Sequence, residues 1–177
     1  EQISKLKWKK DFFVAFSPER VSPGMKNKNL ADITKIISGD SKKTIKILKK
    51  IYGPVLNDNL FIAKSIKVAE AAKVLENIQR DVNIALINEI SIIFNILKID
   101  TSSVIEAAST KWNFHKYSPG LVGGHCIGVD PYYLLHKAQT EGFYPRLINM
   151  ARNVNNEMPL YIANSIKKIL NQKKIKY

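Results

Sequence analysis

The chain has 177 residues, 45% of them hydrophobic and 24% charged, with a net charge of +13. That is enough for one globular domain, or one domain plus part of another, and no charge-free run reaches the roughly 18 residues of a transmembrane helix. The N-terminal EQISKLKWKK lacks the apolar core of a signal peptide, and a single cysteine excludes an internal disulfide and argues against a Cys-based zinc site.

From residue 1 to about 65, short apolar runs alternate with a helical pattern. Asp11–Phe16 reads as a buried strand that stops at Ser17-Pro18. Ile33–Ser38 is a second strand, followed by Gly39-Asp40-Ser41 as turn and N-cap. Ile45, Ile47, Leu48 and Ile51 give Lys43–Tyr52 helical spacing, with Gly53 as its end. Leu60–Ala63 is a third short strand. Strand, helix, strand is the grammar of an α/β layer. Beyond residue 65 the chain reads as mostly helical. Ser65–Leu97 is an amphipathic stretch without Pro or Gly, about 45–50 Å long as a helix. A helix of that length suits a domain connector or a dimer surface. Asp100 or Thr101 caps a helix over Ser102–Ser109. A Gly- and Pro-rich loop covers Lys111–Tyr132, and helices follow near Tyr133–Glu141, Arg146–Asn155 and Pro159–Gln172. Pro159 suits the first position of the last, where its missing N–H does no harm.

The positive charge has two readings. One is an anionic partner, such as nucleic acid, a membrane surface or a phosphate-bearing substrate. The other is a lysine-rich solvated surface, which fits better because the lysines are scattered and no basic block is interleaved with aromatics. Nucleic-acid and membrane partners are therefore not expected. His115, His125 and His136 show no helical metal-ligand spacing, so no metal site is expected.

Three segments could carry chemistry. In PGLVGGHCIGVDPYYL, Pro119–Leu134, Gly120, Gly123, Gly124 and Gly128 surround Cys126, with Asp130 four residues further on. Such glycines suit a loop shaped around a ligand, and a cysteine just ahead of a helix would have its thiolate stabilised by backbone N–H groups. A lone cysteine is more commonly an inert buried group, and the glycines are what favour reactivity here. On the long helix, Lys73, Asn77 and Arg80 share one face. They could grip a pyrophosphate and a reacting oxygen, or form a solvated face paired with Glu70 and Glu76. The third segment is SPERV, Ser17–Val21, directly after a strand. Glu19 and Arg20 would project into the crevice at the strand's carboxyl end, or form a surface ion pair. A hydrolase pairing Cys126 with His125 or His136 is a weak alternative, since adjacent residues seldom form a nucleophile–base pair.

SPERV, KVAEAAKVLENIQRDVNIALINE and PGLVGGHCIGVDPYYL, in that order, resemble the UDP-glucose/GDP-mannose dehydrogenase family, and most closely its branch acting on UDP-N-acetylhexosamines. The resemblance implies an α/β remnant over 1–65, the end of a Rossmann-like NAD domain, then an all-α central dimerisation domain over 66–177 with one long connecting helix. It implies a homodimer, joined through that helix, that serves surface polysaccharide biosynthesis, while the single cysteine fits a cytoplasmic location. Two NAD would oxidise the sugar C6 alcohol to the carboxylate through a Cys126 thiohemiacetal and thioester. Lys73 matches a lysine that stabilises the oxyanion or exchanges a proton, and Asn77 an amide holding the same oxygen. Asp130 matches a carboxylate assisting proton transfer, and Glu19 the acid that aids thioester hydrolysis. Arg20, Val21 and Arg80 match substrate contacts. The loop Asn113–Gly123, with Asn113, Tyr117 and Gly123, matches the segment over the uridine diphosphate. The family's GxGxxG loop is absent from these residues. An internal segment of a longer enzyme, inactive by itself, is the expectation; a non-catalytic dimerisation module is the alternative.

Overall fold

The computed structural model describes residues 2–21, 29–124 and 126–175. They form two compact units, Glu1–Leu75 and Glu76–Tyr177.

The first unit is built on a three-stranded sheet in the order β1 (Ala15–Phe16), β2 (Lys35–Gly39), β3 (Leu60–Ile62). β1 runs antiparallel to β2, and β2 parallel to β3, joined by helix α1 (Lys42–Leu56). The central strand is covered on both faces: Ile36 and Ser38 are buried beside a fully buried Ile37. That burial explains its nearly continuous apolar reading. Ile36 packs with Ala63 and Ala69, flanked by Phe16 and Ala72. Two serines lace the sheet, since Ser17 Oγ donates to the Ile36 carbonyl at 2.7 Å and Ser38 Oγ to that of Phe16 at 2.8 Å.

Two local expectations in this unit need correction. Asp11–Phe16 contributes only Ala15–Phe16 to the sheet, because Lys7, Lys9 and Asp11 tie the preceding residues into turns of their own. Gly53 does not end α1, which runs through Gly53 and Pro54 to Leu56. The helix ends instead where Asn57 turns left-handed, φ 48°, and returns its N–H to the Gly53 carbonyl. Pro54 removes only one hydrogen bond, close to an end where the helix is about to stop anyway.

Asp40, between β2 and α1, gathers donors from three directions. Trp8 Nε1 donates to it at 2.6 Å, the Val14 N–H at 2.7 Å and Thr44 Oγ1 at 2.5 Å. The Thr44 hydroxyl, with further help from the Val14 and Trp8 donors, holds the carboxyl at about 2, down from an ordinary 3.8. A depressed folded-state pKa contributes stability above the unfolded value and loses it as pH falls through the folded one. The first unit should therefore weaken between about pH 4 and pH 2, and Asp40→Asn should flatten that acid limb in urea midpoints measured across the range.

The second unit is helical, and helix α2 (Ile66–Leu97) runs through both units. α3 (Thr101–Ala108) is capped by the Asp100 carboxylate, which accepts the Ser103 N–H at 2.8 Å. α4 (Asp130–Thr140) begins three residues earlier than its apolar pattern suggests, with Pro131 in its first turn. The last two expected helices are one, α5 (Arg146–Gln172), with Pro159 in its interior rather than at a start. One inward face, Ala151, Arg152, Asn155 and Met158, runs up to that proline and keeps the helix continuous. No described helix is long and apolar enough to cross a membrane.

Candidate active site

Cys126 is free and exposed, in a turn just ahead of α4. Its carbonyl accepts the N–H groups of Val129 at 3.3 Å and Asp130 at 2.9 Å, so the cysteine turn runs directly into the helix. Gly124, two residues before it, has φ +81°, a conformation that side-chain-bearing residues rarely adopt. His125 lies outside the described residues.

Asp130 and Asn77 meet. Asn77 Nδ2 donates to Asp130 Oδ2 at 2.6 Å, fixing the first turn of α4 to α2. Asn77 is only 3% exposed, so at this position the helix stripe is not a solvated face. Lys73, on the same stripe, is half-buried and Arg80 is exposed. Tyr117 is half-buried, while Asn113 and Gly123 are exposed on the loop that leads to Cys126.

SPERV gathers in the first unit. Glu19 Oε1 accepts the backbone N–H of Arg20 at 2.8 Å and of Val21 at 2.7 Å. The Val21 N–H is the main force holding the Glu19 carboxyl below its ordinary range; the Arg20 N–H and the Lys35 and Lys73 charges add to it against the opposing effect of burial. Glu19 is thus held as a carboxylate. Arg20 Nη1 donates to the Thr34 carbonyl at 2.7 Å, and Lys35 Nζ to that of Pro18 at 3.2 Å. Val21 is exposed. The cavity lined by Pro18, Glu19, Arg20, Val21 and Lys35 holds about 20 Å³, far less than a sugar occupies.

Behind the cysteine loop lies a buried polar network that the sequence reading missed. Arg152 Nη1 pairs with Asp81 Oδ1 at 2.5 Å, and the two side chains are 4% and 0% exposed. Asn155 Nδ2 donates to the Asp81 backbone carbonyl at 3.0 Å and to its carboxylate at 2.8 Å. Asn88 Nδ2 donates to Asn155 Oδ1 at 2.9 Å and to the Gly120 carbonyl at 3.0 Å, while Asn88 Oδ1 accepts the Gly120 N–H at 2.8 Å. Arg152 also donates to Asn156 at 2.6 Å and lies 5.6 Å from the Tyr132 ring centre. The Asn156 hydrogen bond, then Arg152, holds the Tyr132 phenol below its ordinary value. The available signal was polar residues at inward positions of otherwise apolar stripes: Asn77, Asp81 and Asn88 on α2, Arg152 and Asn155 on α5.

Residues 67–157, just over half the chain, match the central-domain model of the UDP-glucose/GDP-mannose dehydrogenase family. The chain belongs to that family. It is 54% identical over 173 residues to protein CapL of Staphylococcus aureus, covering 97% of this chain and 41% of that protein. It is 49% identical to the UDP-N-acetyl-D-glucosamine 6-dehydrogenase of Pseudomonas aeruginosa, covering 99% of this chain and 42% of that one. Among solved structures, a UDP-D-ManNAc dehydrogenase from Pyrococcus horikoshii matches with a TM-score of 0.83 at 36% identity, over 94% of this chain and 39% of that one. This dehydrogenase-family chain therefore spans about two fifths of the length of its relatives.

Proposed function

We propose that this chain carries the thiol site of a nucleotide-sugar dehydrogenase that oxidises the C6 alcohol of a UDP-N-acetylhexosamine to the uronate. The observation that carries the reading is the exposed Cys126 in a turn bound to Asp130, whose carboxylate is held by the buried Asn77. Sequence identity of 49% to a relative named for UDP-N-acetyl-D-glucosamine supports the substrate class. NAD enters through the family alone. The 177 residues hold no GxGxxG loop, so the chain offers no recognisable pyrophosphate cradle. Two NAD, bound one after the other, would each accept one hydride.

The steps belonging to this chain are addition and hydrolysis. Cys126 Sγ adds to the C6 aldehyde, forming a C–S bond while the carbonyl oxygen takes up the thiol proton. Once that carbon has been oxidised to the thioester, water cleaves the C–S bond, giving the carboxylic acid and the thiol. In this proposal Lys73 and Asn77 stabilise the oxygen as it becomes negative. Asp130 moves the proton, and Glu19, kept ionised by its backbone donors, activates the water. Arg20, Val21, Arg80, Asn113, Tyr117 and Gly123 are assigned to substrate binding. The proposed domain division stays at 65/66, and the location is cytoplasmic.

The test inserts residues 1–177 in place of the matching stretch of the P. aeruginosa relative and follows NADH and uronate. The purified 177-residue chain alone should form neither, and the insert should form both. A folded insert that makes no uronate overturns the reading. A homodimer through α2 is part of the proposal, supported by exposed Leu86, Ile93, Ile96 and Leu97 on that helix. Leu86→Glu with Ile93→Glu should give a monomer by sedimentation; an unmutated chain that is already monomeric at high concentration would sink the dimer.

A further inference from the structure

The loop that carries Cys126 is held at both ends by the same helix. At its far end, Asn77 binds Asp130. At its near end, one side chain, Asn88, takes both backbone groups of Gly120: its amide nitrogen donates to the carbonyl and its amide oxygen accepts the N–H. The two anchors on α2 are eleven residues apart, about 16 Å along the axis. Between Gly120 and Asp130 run nine residues, with the thiol among them.

The amide at position 88 has one workable orientation. Both Nδ2 hydrogens are used, on Gly120 and on Asn155, and Oδ1 is used by the Gly120 N–H. Asn155 is itself oriented, because its nitrogen faces the Asp81 carboxylate and its oxygen must face Asn88. Asp81 is in turn held by Arg152. Charge at one end of the relay thus dictates which way Asn88 points at the other. Turning the amide over would set N–H against N–H and oxygen against oxygen, an expensive mismatch for a side chain with no solvent exposure. Aspartate lacks the donors, and leucine lacks both functions.

We propose that Asn88 is a positioning residue for the thiol: its clamp on Gly120 sets where the Cys126 turn begins, as its partner anchor at Asn77 sets where it ends. That the positioned group is catalytic rests on the thiol reading above; the clamp does not.

Two measurements on the 177-residue chain test it without substrate. In the unmutated chain, the Gly120 amide should exchange with deuterium at least about 50-fold more slowly than an unstructured glycine. An unprotected Gly120 in the folded chain overturns the proposal with no mutation made. The second attaches a methanethiosulfonate nitroxide to Cys126, the single thiol. The unmutated chain should give broad, restricted lines. Asn88→Leu should narrow them and abolish Gly120 protection, while the amides at the middle of α2 stay protected. A folded Asn88→Leu chain with unchanged line shape would reduce Asn88 to a packing role and overturn the proposal. Failure here leaves the thiol chemistry standing, and an inactive folded insert would leave the clamp standing.

Discussion

Arg152→Met should lower the unfolding free energy by about 3–5 kcal/mol, read from urea denaturation followed by far-UV circular dichroism. The guanidinium and the Asp81 carboxylate are almost wholly out of water. Removing the cation leaves an uncompensated buried carboxylate, and that penalty exceeds the worth of the pair itself. Asp81 Oδ2 already has no hydrogen-bond partner among the described residues, and only the neutral Asn155 amide would remain on Oδ1, so no second cation takes over. Arg152→Lys keeps the charge but loses the fork that serves Asp81 and Asn156 together. It should cost clearly less than methionine. Asp81→Leu combined with Arg152→Met should recover more than half of the single-variant loss, because the stranded charge has gone. A loss below about 1 kcal/mol for Arg152→Met would show that the pair is reached by water.

Cys126→Ser in the active insert should cut uronate formation by at least about 1,000-fold while sugar binding changes by no more than about 3-fold. An alkoxide-forming hydroxyl is a poor nucleophile beside a thiol, and an oxyester hydrolyses less readily than a thioester. Unchanged uronate formation would remove the covalent mechanism and leave the loop as scaffold. Lys73→Ala should depress turnover more than it weakens binding, since its proposed role is realised as negative charge develops on oxygen. Equal kinetics for variant and parent would remove that assignment.

The long helix and the capped short one were legible almost to the residue. α2 lacks any Pro or Gly to interrupt it, and Asp100 advertises α3 through its side chain. Gly53 and Pro159 misled because a local breaker is only a local cost. The buried face Ala151, Arg152, Asn155 and Met158, running up to Pro159, holds together a helix that the proline alone would divide. In the site, the cysteine turn and the Asn77 stripe could be read from residue types and spacing. The Asn77–Asp130 bond could not, because it joins residues 53 positions apart. Asp81, Asn88, Arg152 and Asn155 escaped for a related reason. A polar residue on a helix is ordinarily assigned to water, and only a partner on another helix makes its burial affordable.

The spacing of the two anchors on α2 restricts how this gene segment can change in length. Eleven residues complete almost a whole number of helical turns, so Asn77 and Asn88 lie nearly in line along the rod. Inserting or deleting a single codon between them would swing one anchor about 100° around the axis relative to the other. Substitutions in that interval can be absorbed by repacking, but a frame-preserving indel would release one end of the turn that bears the sulfur.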